Sequence, residues 1–214
     1  TAEALVEAAW RHIKILENKF TADAIEKIYV KNKSIIIWQD EYENKPLTAE
    51  ILFNAGQRKE GCLSLSLRYE KMFLYQIIFW LGKKAVSTNI YIGAIQGMPN
   101  GSDLIKNLTK FYFGYRTKNL IFYLLRAFAK EINCQNIYGV TNEGYYAMNG
   151  LRFDRKLKTD FGEFWQECEG VFAEDKRFYV MPIEEHRKAM EELKPSKRAQ
   201  HRRRFEKLDE IDAK

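Results

Sequence analysis

Very little in this sequence suits metal or redox chemistry. It holds three cysteines, Cys62, Cys134 and Cys168, odd in number and far apart. None forms a Cys-x-x-Cys pair or the Cys/His spacing of a zinc site. A disulfide framework is therefore not expected, and a reducing compartment fits. The three histidines, His12, His186 and His201, are scattered, so no metal site is expected. No stretch reaches the ~18 apolar residues that a membrane-spanning helix needs. Glycine-rich nucleotide loops are missing too: neither GxxxxGK[ST] nor GxGxxG occurs. No secretory signal pattern opens the sequence, although a start at Thr1 without methionine suggests trimming. The expected location is cytoplasmic, extended by peripheral contact with the inner membrane.

What is present is an ordinary globular composition, with 46% hydrophobic, 30% charged and 14% aromatic residues. A chain of 214 residues is expected to form one compact domain and to bury roughly 70% of its unfolded surface. The net charge of +6 is unevenly placed: Lys194 to Arg204, KPSKRAQHRRR, holds six Lys/Arg and no acid. Lys197, Arg198, Arg202, Arg203 and Arg204 are thus candidates for binding an anionic partner. A solvated helix face explains them equally well. The three consecutive arginines fan around a helix, which weighs against groove-reading of nucleic acid.

The periodicity predicts an α+β fold with helices first, a mixed, mostly antiparallel sheet in the middle and a basic helix last. Leu5, Ala9, His12, Ile13 and Leu16 recur at helical spacing. SIIIWQDEY reads as a strand or as the buried end of a helix. A second helix is expected after Pro46, closed by Asn54-Ala55-Gly56. Residues 1–60 are therefore expected to be mainly helical, 61–193 to form the core and 194–214 to form the basic helix. LSLSLRYE alternates leucine with polar residues and predicts a half-buried strand. FLYQIIFWLG and STNIYIGAIQG follow, joined by a turn at Gly82-Lys83-Lys84, as an antiparallel meander. Helices are expected from Ser102 and over TKNLIFYLLRAFAKEIN, then a strand over Asn136 to Asn142. RFYVMPI reads as the last strand. A charged helix is expected from Ile183 to Leu193, broken by Pro195, with Ser196 capping the terminal helix.

The junction Gly114-Tyr115-Arg116-Thr117-Lys118 stands at the mouth of the most apolar helix. A helix start offers unpaired N–H groups and about half a positive charge. Gly114, Arg116, Thr117 and Lys118 are thus candidates for a phosphate or pyrophosphate cradle. The alternative is a tight helix–helix turn, with Gly114 ending one helix and Thr117 capping the next.

GAIQGMPNG, LTKFYFGYRTKNLI, VTNEGYY, DFGEFW and PSKRAQHRRRFEKLDEI together resemble the VirK/YbjX family of bacterial proteins. The resemblance runs from about Leu63 to Ile211. It matches the family's pattern at Gln96-Gly97, Thr109-Lys110, Gly114, Arg116, Lys118, Asn142, Asp160, Phe164-Trp165 and Ser196 to Phe205. Thr117 replaces a proline, Thr141 a serine, and Tyr145 or Tyr146 stands near a family histidine. The resemblance implies an association with bacterial virulence, envelope stress and antimicrobial-peptide resistance.

The order strand, helix at a Gly/Arg junction, strand also resembles GNAT-type acyltransferases. That resemblance implies a donor such as acyl-CoA, acyl carrier protein or aminoacyl-tRNA, with no covalently bound cofactor. The acceptor would be an amine on a peptide, protein or envelope component. Gln96, Gly97 and the junction residues would hold the donor. Glu70 or Glu143 would act as base, Tyr145 or Tyr146 as acid. Asn142, Asp160 and Trp165 would contact substrate. The competing expectation is a non-catalytic accessory protein whose basic tail docks on anionic lipid, nucleic acid or an acidic partner.

Overall fold

The computed structural model describes residues 2–99, 101–145 and 160–213. Helix α1 (Ala2–Lys19) and the short α2 (Ala22–Ile25), continued by a π-helical turn at Glu26–Val30, lead into the sheet. Strands β1 (Ile35–Tyr42), β2 (Lys45–Leu52), β3 (Leu63–Tyr69), β4 (Met72–Lys84) and β5 (Ser87–Gly97) form an antiparallel meander. Helices α3 (Ser102–Phe111) and α4 (Thr117–Glu131) then cross over to β6 (Asn136–Val140), which lies parallel to β5. After α5 (Phe161–Glu167) come β7 (Val171–Phe172), β8 (Phe178–Met181) and the terminal helix α6 (Pro195–Asp212). The eight strands form one sheet in the order β1-β2-β3-β4-β5-β6-β8-β7. This is the expected α+β architecture.

Three local expectations are corrected. The second helix after Pro46 is instead strand β2. Leu47, Ala49 and Ile51 alternate inward and are buried to 1% exposure or less, which is period two, not helical spacing. The β1–β2 turn uses Glu43 and Asn44, both at positive φ (51° and 57°), the requirement of a type I′ hairpin. The turn expected at Gly82-Lys83-Lys84 lies at Ala85 and Val86, because β4 runs on to Lys84. The charged helix over 183–193 is irregular apart from a single turn at Met190–Glu192. Pro195 does not break a helix but opens α6 at its first turn, where its missing N–H costs nothing.

Helices α1 and α4 cover one face of the sheet, over β3 and β4. On that face Leu63, Leu65 and Leu67 meet Ile77, Phe79, Leu124 and Leu125 in the main core. Only part of α1 is docked: His12, Ile15 and Leu16 are buried, whereas Leu5, Val6, Trp10 and Ile13 are exposed. His12 accepts from Leu81 N at Nδ1 (2.9 Å), and its Nε2 lies 3.0 Å from the Tyr29 hydroxyl. Tyr29 in turn donates to Cys62 O at 2.8 Å. The imidazole is therefore the neutral Nε2–H form, and burial lowers its pKa to about 4.

The terminal helix is fixed by polar contacts as well as by Leu208 and Ile211. Tyr112 Oη donates to Asp40 Oδ2 at 2.7 Å, and Lys207 pairs with the same carboxylate at 3.0 Å. The Asp40 carboxylate on β1 thus ties together the end of α3 and α6.

Candidate functional site: the divergence of β5 and β6

Strands β5 and β6 pair only from Asn89 with Asn136 to Ile92 with Gly139. Beyond that point they part. Thr141 N turns to Arg177 O at 2.8 Å, while β5 continues along β4. Gly93 is the residue at the parting. In the β4–β5 register Ile78 faces Ala94 and Phe79 faces Ile92, so Gly93 is an extra, bulged residue. Bulges re-aim a strand and cluster beside active sites. Crevices at the carboxyl ends of neighbouring parallel strands are the common ligand sites of such sheets.

The loop between β2 and β3 fills the space against Gly93. A methyl group there would lie 1.9 Å from the Glu60 carbonyl oxygen, so only glycine admits this approach. Glu60 is 7% exposed, and Tyr145 Oη donates to its Oε1 at 3.3 Å. From the same loop, Gln57 Nε2 donates to Gln96 Oε1 at 2.9 Å, and the Gln57 Oε1 is buried without a hydrogen-bond partner among the described residues. The wedge therefore gathers a carboxylate, a phenol and two amides.

A polar row leads into this wedge. Glu50 faces Ser66, Ser66 faces Gln76, and Gln76 faces Gln96 across four strands. Ser64 and Ser66 are each 1% exposed. The expectation of a half-buried β3 is thus corrected: its serine face is buried as well as its leucine face. A buried polar face costs stability unless its groups are hydrogen-bonded.

The sequence candidates are distributed as follows. Gln96 and Gly97 lie at the end of β5 by the wedge, and Gly97 packs on the Tyr75 ring. Burial raises the Tyr75 pKa, and the nearby Arg116 opposes it. Tyr145 is in the wedge; Tyr146 lies outside the described residues. Asn142 Oδ1 accepts from Phe161 N at 3.0 Å, and Asp160 caps α5 by accepting from Gly162 N at 2.7 Å. Both shape the wall beside Tyr145. Trp165 is fully buried, with its Nε1 donating to Val140 O at 2.9 Å; it anchors α5 to β6 instead of contacting a substrate. Glu143 is exposed. Glu70 sits in the β3–β4 turn, paired with Lys45 at 3.0 Å, not beside Gln96.

The junction at Gly114 is a helix–helix turn and not an open cradle. Gly114 N donates to Thr109 O at 2.7 Å and Tyr115 N to Tyr112 O at 2.9 Å, so their amides are spent on closing α3. Gln200 Nε2 and an Arg204 guanidinium nitrogen stand 2.8 and 3.1 Å from where a Gly114 side chain would begin. Thr117 is buried at the first turn of α4, and Arg116 is its N-cap residue without a side-chain cap. Arg116 pairs with Glu167. Lys118 lies 3.9 Å from the Phe164 ring centroid, and burial lowers its pKa.

The basic tail divides in two. Arg204 donates to Phe113 O and Arg198 to Leu193 O, so both hold the fold. Lys197, Arg202 and Arg203 are exposed. Burial raises the thiols of Cys62 and Cys134 to about 11 and that of Cys168 to about 12, which makes them poor nucleophiles. Among the described residues, no group of His, Cys, Asp and Glu is placed to hold a metal, and no helix is long and apolar enough to cross a membrane.

A family model described as "Protein of unknown function (DUF535)" matches residues 1–214. The chain belongs to this family. It is 29% identical over 216 residues to the uncharacterized protein YbjX of Escherichia coli, covering 97% of this chain and 64% of that one. It is 27% identical over 159 residues to an uncharacterized protein of Haemophilus influenzae, covering 71% of this chain and 51% of that one. The chain thus spans between about half and two thirds of these curated relatives. A crystal structure of a protein of unknown function from Aquifex aeolicus aligns over 91% of this chain and 92% of that one, with 14% identity and a TM-score of 0.28. That value is too low for a structural argument. The resemblance to the VirK/YbjX family is confirmed by the YbjX relative.

Glu60, Gln57, Gln76 and Ser66 are the site residues that sequence reasoning missed. Glu60 follows a run of loop residues, and its partner Gly93 is 33 positions away. The only sequence signal is a pair of glycines, Gly61 and Gly93, in otherwise strand-rich surroundings.

Proposed function

We propose that the chain is a transferase domain, moving an acyl or aminoacyl group from a carrier to an amine at the β5–β6 wedge. The donor is acyl-CoA, acyl carrier protein or aminoacyl-tRNA; the acceptor is an amine on a peptide, protein or envelope component. The observation that carries this reading is the Glu60 backbone seated on the Gly93 bulge, where the two parallel strands diverge, with the Glu60 carboxylate against the Tyr145 hydroxyl. The amine nitrogen attacks the donor carbonyl carbon, and Glu60 takes the proton the nitrogen loses. The bond to the carrier sulfur or oxygen then breaks, and the leaving atom is protonated by Tyr145 or by the proton Glu60 holds. Gln57 and Gln96 orient the two reactants, which is the main source of rate in such transfers.

The donor's anionic part does not use the Gly114 amides in this reading. It lies outside the wedge, towards Arg116 and the start of α4. The test is a thermal-shift and native mass-spectrometry series with each donor, on wild type and Glu60→Gln. The reading requires a donor that both proteins bind and only the wild type consumes.

The exposed Lys197, Arg202 and Arg203 favour a second reading, an accessory protein that docks on an anionic surface. Salt-sensitive binding to anionic vesicles or RNA, lost on charge reversal at these positions and without any donor turnover, would support that reading instead.

A further inference from the structure

Helix α1 is docked by its C-terminal half alone. From Glu3 to Arg11 no side chain is buried, and the helix first meets the core at His12, Ile15 and Leu16. The undocked half nevertheless carries large apolar groups. Leu5, Val6 and Trp10 are 45%, 69% and 60% exposed, and Ile13 adds 43%. At about 100° of rotation per residue, Leu5, Ala9 and Ile13 form one row, with Val6 and Trp10 beside it. A helical stretch of this length is marginal in water unless its apolar face is packed against something.

The charges of α1 indicate what packs there. The helix holds three acids, Glu3, Glu7 and Glu17, and three bases, Arg11, Lys14 and Lys19. A membrane surface selects a helix whose polar face is rich in Lys and Arg, and this one is balanced. Its order is polarised instead: Glu3 and Glu7 precede Arg11 and Lys14. Lys14 stands at the border of the apolar stripe, with its Nζ 4.8 Å from the Trp10 ring centroid, and helical spacing puts Glu3 on the same border. Turned end for end, the same helix therefore offers Lys14 where it had offered Glu3. The apolar row is self-complementary in the same register. A twofold axis at Ala9 sets Leu5 against Ile13 of a second copy, and the small Ala9 side chain lets the two helices approach closely.

We infer that the exposed stripe of α1 is the interface of a twofold dimer, in which α1 lies antiparallel to α1 of a second copy. Leu5, Val6, Trp10 and Ile13 of both copies pack across the axis, and Glu3 of each copy meets Lys14 of the other. Four large apolar side chains per copy make a small interface, below roughly 1,200 Å² in total, so association is weak, with a dissociation constant on the order of 10 μM. The inference does not rest on the transferase reading, because this pairing needs neither a donor nor Glu60.

The test is sedimentation velocity of the wild-type protein over a concentration series reaching about 1 mM. Wild type passes from monomer to dimer within the series. Trp10→Glu stays monomeric throughout, with circular dichroism matching that of dilute wild type. Glu3→Lys and Lys14→Glu each place like charges at both ends of the interface and weaken self-association about fivefold or more. An equimolar mixture of these two variants restores opposite charges at both contacts and dimerises more tightly than either variant alone. Should Trp10→Glu fail to fold, the mixture decides. A wild type that is still monomeric at the top of the series, a dimer that Trp10→Glu leaves intact, or a mixture no tighter than its components overturns the inference.

Discussion

Replacing Gly93 by alanine strikes the point on which the wedge is built. The new methyl would lie 1.9 Å from the Glu60 carbonyl oxygen. Ordinary contact begins near 3.4 Å, so the loop must retreat by about 1.5 Å, and overpacking of this kind costs roughly 1–3 kcal/mol. The obstruction is backbone, which cannot rotate away as a side chain would. For a domain of this size the melting temperature should fall by roughly 2–12 °C. The retreat carries Glu60 off Tyr145 and Gln57 off Gln96, and misplacement of about 1 Å can cost about 100-fold in rate. The assays are a urea titration followed by tyrosine and tryptophan fluorescence, and steady-state transfer with the donor that binds. A Gly93→Ala protein that melts within about 1 °C of wild type would refute the reasoning, since the loop could not then lie on the bulge.

Three further outcomes follow from the same geometry. His12 has a folded pKa near 4 against an ordinary 6.5, so the unfolded chain binds the proton first as pH falls. Stability is complete above pH 6.5 and declines towards pH 4 by about 3 kcal/mol; urea titrations across that window should show the slope, and His12→Gln should flatten it. Tyr112→Phe removes the phenol that donates to Asp40 and links the end of α3 to β1, and chemical denaturation should show a loss of roughly 1–2 kcal/mol. Reversal of Arg202 and Arg203 to glutamate should change stability by less than about 0.5 kcal/mol, because both are exposed, whereas Arg204→Ala should lower the melting temperature by freeing the Phe113 carbonyl.

Much of the sheet was legible because its strands carry their own pattern. The long runs of β4 and β5 announce themselves, and the stripe Leu120, Leu124, Phe128 and Ile132 marks α4. The β1–β2 hairpin was hidden by its turn: Glu43-Asn44 lacks the glycine that usually advertises positive φ, and Pro46 suggested a helix start. The serines of β3 misled for another reason. Alternation shows which residues share a face, not whether that face is covered. Glu60 acquires its meaning only from Gly93, a contact between distant parts of the chain. Gly114 was read correctly as a special backbone position, with φ of +80°, but that conformation serves to close α3. Its amides satisfy α3 carbonyls, and the cations around it include Arg204, which sequence alone left at the end of the chain.

The central claim is that the wedge at Gly93 is a transfer site. The most direct measurement is a rapid-quench single turnover with acyl-CoA, acyl carrier protein or aminoacyl-tRNA as labelled donor, comparing wild type, Glu60→Gln and Gly93→Ala. The account predicts transfer from one donor class by wild type, with both variants still binding that donor but transferring it at least about 100-fold more slowly. No transfer from any donor, or equal rates in all three proteins, would contradict it.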